Sequence, residues 1–189
     1  MTPSPNPHRK LLKDVLMITL FAVGLRTLVA GYFFVWQGQL LLDLSRDAIQ
    51  YHNLAQALMA GDWQFANPLF AVRPPLMPLW VAGLYSLFGA NLWVIAIGNL
   101  IFGSLTAGVV YLAGWQATHH RPFALLAGAI VALDLASIAH NLNAQAETLA
   151  NFFLALMLWA LMALWQTQRL RFAFARGLCL AAAVLVGPN

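Results

Sequence analysis

Residues 92–115 read LWVIAIGNLIFGSLTAGVVYLAGW, 24 residues without a charge. At about 1.5 Å per residue such a helix reaches about 36 Å, enough to cross a hydrocarbon core of about 30 Å. The flanking sequence repeats the pattern. Apolar stretches run over 15–36, 122–138, 148–165 and 172–187. Of the 189 residues, 61% are hydrophobic and 8% are charged, with a mean hydropathy of +0.73. A soluble domain carries roughly 25% charged residues, so ten Lys and Arg with six Asp and Glu cannot cover a soluble surface. The fold class is therefore an all-α, polytopic transmembrane bundle. Disulfide scaffolds, disordered tails and nucleic-acid partners are excluded by the same composition. Cys179, the one cysteine, reads as a small apolar residue.

The basic start Arg9-Lys10…Lys13 leads into an apolar stretch too long for a cleaved leader, so 15–36 reads as an uncleaved first span. The run Leu76–Phe88 has only 13 residues, about 20 Å of helix, and should not span. The basic residues test this independently. With Leu76–Phe88 in the interface, Arg9, Lys10, Lys13, Arg121, Arg169, Arg171 and Arg176 fall on one side. Arg46 and Arg73 then fall on the other, with Arg26 in mid-membrane. The positive-inside rule makes the first side cytoplasmic, amino terminus included. The expected organisation is a cytoplasmic tail 1–14 and a transmembrane domain 15–189, with 37–91 as one outer loop. Within that loop, surface helices are expected at about 47–60 and 76–88. Gly103, Ala107 and Gly114 share one side of the 92–115 span, a face for close helix packing.

Two polar stretches share the outer side. Asp47 opens the first surface helix, where an acid serves as a cap (here with Gln50 at capping-box spacing) or, at the water–lipid boundary, as a base. Tyr51 lies one turn on, and His52 follows it. Arg73 precedes Pro74-Pro75; it either snorkels to headgroups or clamps a phosphate with its planar fork. Asp134, His140 and Glu147 cluster at the second outer turn, as backbone partners and a first-turn acid or as a set that orients an acceptor or a cation. Their spacing matches no specific metal motif. Arg26 must face protein or a water-filled cavity, as a brace or as part of a site. There is no P-loop, dinucleotide fingerprint or nucleophile elbow.

The ordered pieces form a pattern. Asp47-Ala48-x-x-Tyr51-His52-x-Leu54-Ala55 is followed by Gly61-Asp62-Trp63, Arg73-Pro74-Pro75-Leu76-x-Pro78-Leu79 and Leu87-Phe88-Gly89. Ala132-Leu133-Asp134 then leads through Ala139-His140 to Glu147. This set resembles the protein O-mannosyltransferase and lipid A aminoarabinose transferase group of multi-span glycosyltransferases, nearest to the bacterial dolichyl-phosphate-mannose-protein mannosyltransferase-like branch. The likeness matches the amino-terminal part of such an enzyme, so the domain reads as truncated.

The resemblance implies a GT-C-like bundle and an inverting sugar transfer from a polyprenyl-phosphate donor. The acceptor would be a protein, lipid A or a glycan, outside a bacterial inner membrane. It also implies Asp47 as the base, Arg73 on the donor phosphate, and Glu147 with His140 and Asp134 orienting the acceptor or a divalent cation. Tyr51 and His52 would support them. Leu135 stands where many members carry proline after the acid. A non-catalytic fragment or subunit, and a lipid or solute transporter, are the competing readings.

Overall fold

The computed structural model describes residues 7–38, 46–64 and 66–187. The helices are α1 (Pro7–Gln37), α2 (Arg46–Met59), α3 (Leu76–Phe88), α4 (Leu92–Thr118), α5 (Arg121–Leu133), α6 (Leu135–Leu142), α7 (Glu147–Thr167) and α8 (Leu170–Val186). A 3₁₀ turn, Pro68–Ala71, precedes α3. No strand occurs among the described residues. The segments 1–6 and 39–45, expected as tail and as the opening of the outer loop, lie outside them.

By length and hydropathy α1, α4 and α7 can each cross a membrane, and the bent pair α5–α6 makes a fourth crossing if it is counted as one span. The protein is a multi-pass membrane protein. Leu20, Leu28 and Val35 stand exposed on α1, a surface suited to lipid tails. Three sequence expectations shift. Helix α1 begins at Pro7, so part of the expected tail is helical. The α8 segment has 17 residues, about 26 Å of rise, short of a full crossing by itself. The expected span 122–138 is broken into α5 and α6, which bend by 46°.

The break has a local cause and a remote one. Asp134 takes an extended conformation, and its carboxylate accepts from the backbone N–H groups of Ala136 and Ser137, both at 3.2 Å. An Asp caps a helix far better than it sits inside one. Ending α5 at Leu133 strips its last carbonyls of helical partners, which inside a bundle would be costly. Arg26 supplies the donors. Its Nη1 reaches the Ala132 carbonyl at 3.2 Å, one Nη2 bond reaches Val131 at 3.3 Å, and Nε donates to Asn141 Oδ1 at 2.8 Å.

Helix α4 is the hub, packed against α1, α3, α5, α6 and α7. Its small residues set the approach. A β-carbon at Gly103 would strike the Asn141 side chain, one at Gly108 would strike Thr19, and one at Gly114 would press on Ala124 of α5. Read along α4, Asn99 lies by the α6–α7 turn, Gly103 by Asn141, and Tyr111 by Asp14. So α1 runs antiparallel to α4, and the α2–α3 pair sits at the end remote from Asp14. There α2 and α3 bury Tyr51, Leu58, Met77, Val81 and Tyr85 in one cluster with Ile95 of α4 and Leu149 of α7.

Candidate active site

Residues 47, 50, 51 and 54 recur at helical spacing along one face of α2. Leu54 and Tyr51 are buried there, and Asp47 and Gln50 carry the polar end of the stripe. Opposite them comes Arg73, at the end of a loop whose backbone is pinned by side chains. Asp62 accepts from the N–H groups of Ala66 at 2.8 Å and Asn67 at 2.9 Å. Asn67 in turn caps the 3₁₀ turn through Leu69 N–H at 3.0 Å, and the Arg73 N–H returns to the Leu69 carbonyl at 2.9 Å. Pro74 and Pro75 then stiffen the step into α3. Gly187, with φ +58°, sits against the Pro74 ring and leaves no room for a β-carbon. The loop holds Arg73 in place from both sides.

The guanidinium is almost fully engaged. Arg73 is only 6% exposed. Its Nε donates to Gln50 Oε1 at 2.7 Å, and Nη2 pairs with Asp47 Oδ1. The ring of Tyr51 lies under it, with 5.5 Å from Cζ to the centroid. Nη1 is buried with no hydrogen-bond partner. An unsatisfied donor on a buried cation is costly and marks a place where an acceptor would be held. Burial raises the Tyr51 pKa, and hydrogen bonding to the Arg73 side chain, with its charge, partly offsets this. The field of Glu147 also reaches Tyr51, so the first turn of α7 lies close to the pair.

The structure thus gathers Asp47, Tyr51 and Arg73, and packs Ala146 and Leu149, which flank Glu147, in the same cluster as Tyr51. Gln50 belongs to this group too. Its spacing from Asp47 suggested a capping box, but its side chain serves Arg73 instead. The remaining expected residues point elsewhere. His52 Nδ1 is 2.7 Å from the Tyr85 hydroxyl and ties α2 to α3; burial pushes Tyr85 up to about 12. His140 pairs with Gln145 inside the α6–α7 turn, and Asn99 Nδ2 donates to the Gln145 carbonyl at 2.9 Å. Asp134 is spent on capping α6. Among the described residues no three of His, Cys, Asp and Glu come together as a metal-ligand set.

Residues 72–187 match the family described as dolichyl-phosphate-mannose-protein mannosyltransferase. The chain belongs to that family. The match takes in Arg73, the α5–α6 break and Glu147, whereas Asp47 and the rest of α2 precede it. No curated protein and no solved structure matches the chain significantly. Of this mannosyltransferase-type glycosyltransferase, the matched region supplies Arg73 and the helices from α3 onward, and α2, which grips the guanidinium, lies before it.

Proposed function

We propose that the protein transfers a sugar from a polyprenyl-phosphate donor to a protein, lipid A or glycan acceptor at the extracytoplasmic face of a bacterial inner membrane, by inversion. The observation that carries this reading is Arg73, buried and clamped on two of its nitrogens with Nη1 unpartnered. A fixed guanidinium with a spare edge suits a phosphate oxygen. In the reaction the acceptor oxygen bonds to the anomeric carbon as the bond from that carbon to the phosphate oxygen breaks. The hydroxyl proton passes to Asp47, and the electron pair leaves with the polyprenyl phosphate. Charge builds on that phosphate, where a preorganised cation is most effective. Asp47 and the donor share Arg73, so a phosphate drawing on the guanidinium loosens its hold on the carboxylate and frees it to accept the proton. Glu147 orients the acceptor beside Tyr51, and His140 shapes the turn that presents Glu147.

Two measurements bear on this. Arg73→Ala should weaken binding of a polyprenyl-phosphate sugar by roughly 1.5–3 kcal/mol, the worth of a charged hydrogen bond. Arg73→Lys should recover part of this, keeping the charge and losing the fork. Unchanged donor affinity in the alanine variant returns Arg73 to a headgroup or packing role. The sidedness rests on the arginine distribution. In a Cys179→Ala background, cysteines at Gln64 and Asn143 should react with an impermeant thiol reagent from outside the cell, and one at Gln168 should not. Outside labelling at Gln168 would mean that Leu76–Phe88 crosses the membrane after all.

A further inference from the structure

A second charged cluster occupies the end of the bundle remote from Arg73. Asp14 of α1 is 6% exposed. Its carboxylate takes Arg121 in a two-pronged grip, Nε at 2.7 Å and Nη2 at 2.8 Å, and accepts the Tyr111 hydroxyl at 3.0 Å. This knots α1 to the end of α4 and the start of α5. One carboxylate thereby faces three cations, because Lys10 and Lys13 line the same cleft of about 230 Å³. Both lysines are exposed, and the Arg121 side chain is 59% exposed, so the cations present their charge outward. A smaller recess of about 100 Å³ shares Lys10, Asp14 and Arg121 with the cleft, and its other walls are Leu11, Tyr111 and Trp115. A net-positive mouth thus adjoins an apolar, aromatic wall between two helices that face lipid.

We propose that this cleft binds the headgroup of an anionic phospholipid. The phosphate would sit against Lys10, Lys13 and the open side of Arg121, with the first acyl methylenes over Leu11 and Trp115. Basic pockets between transmembrane helices are suited to such headgroups, and tryptophan is at home at that depth. The apolar recess beside the cations favours a lipid over a free anion, which would have no use for it. The excess of positive charge favours an anionic headgroup over a zwitterionic one. Bound there, the lipid would bridge α1 and the α4–α5 turn on top of the Asp14–Arg121 pair.

The test is lipid binding to the purified 189-residue chain in a neutral detergent, read by native mass spectrometry. Phosphatidylglycerol and phosphatidylcholine with the same acyl chains serve as probes, and glycerol 1-phosphate as competitor. Phosphatidylglycerol should bind at least about tenfold more tightly. Lys13→Gln should weaken it about fivefold, and the Lys10→Gln/Lys13→Gln pair about 25-fold, at roughly fivefold per cation near a charged headgroup. Arg9→Gln, outside the cleft, should leave it unchanged. Glycerol 1-phosphate should not compete at millimolar concentration. Equal affinity for the two lipids, wild-type binding by the lysine variants, or full displacement by glycerol 1-phosphate would each overturn the proposal. If the double variant does not fold, Lys13→Gln and the comparison of the two lipids still decide it.

Discussion

Asp47→Asn should lower sugar transfer by a factor of about 10² or more while the protein still folds, inserts and binds its donor. The swap separates the structural job that Asp47 has beside Arg73 from the job of general base proposed for it. As first-turn acid of α2 and partner of Arg73, Asp47 needs only an acceptor oxygen, and an asparagine amide keeps one. As general base it needs a site for a proton, and the amide has none. A structural Asp47 therefore predicts a nearly active asparagine variant, with about 1 kcal/mol of local stability lost only on truncation to alanine.

Donor binding sharpens the test. Asp47 occupies the same guanidinium that the donor phosphate is proposed to use, so removing its charge should leave donor affinity unchanged or raise it. A loss of affinity that matches the loss of turnover would make Asp47 a positioning residue for Arg73. Full activity would remove it from the chemistry, and Glu147 would be the next acid to change. The readout is single-turnover transfer from a defined polyprenyl-phosphate sugar, with donor binding measured separately.

Much of the fold is legible where punctuation brackets an apolar run. Pro74-Pro75 and Gly89 bound Leu76–Phe88, and α3 occupies those same residues. The first surface helix was expected at 47–60 and forms at Arg46–Met59. The α5–α6 break was not legible, because Asp134 stands alone in a run that is otherwise apolar enough to continue. Its compensating donors come from Arg26, on another helix and far away in sequence. Only tertiary structure joins the two.

Asp14 was missed for a similar reason. It sits among the basic residues of the amino terminus, where a single acid attracts no notice, and its partner Arg121 is 107 positions away. Within the site, helix geometry corrects the expectation for His52. Asp47, Gln50, Tyr51 and Leu54 share one face of the helix, and His52, turned about 100° beyond Tyr51, falls off that face and meets Tyr85 instead. Gln50 could have been read from the same geometry, since it lies one turn from Asp47 on the Arg73 side.

Arg26→Met should destabilise the protein by several kcal/mol, at about 1–3 kcal/mol for each buried acceptor left unsatisfied, because two α5 carbonyls and Asn141 Oδ1 lose their donor. The side chain is 1% exposed and lies mid-helix in α1, too deep for another residue to substitute from the surface. Methionine fills the space and offers no donor. The carbonyls of Val131 and Ala132 would then end α5 without partners, and Asn141 would lose its Nε contact. Asn141 also donates through Nδ2 to Thr148 Oγ1 at 2.8 Å, next to Glu147 at the start of α7. The loss therefore runs from the break toward the candidate site.

Arg26→Lys keeps a charge but not the geometry. One ammonium cannot span Asn141 on α6 and two carbonyls on α5, so it should restore only part of the stability. Thermal unfolding in detergent measures the first effect. The second appears in proteolysis, where cleavage should move to the α5–α6 junction as the two segments separate. A methionine variant that melts with the wild type would mean that the α5 carbonyls are satisfied without Arg26, and the break would then rest on the Asp134 cap alone.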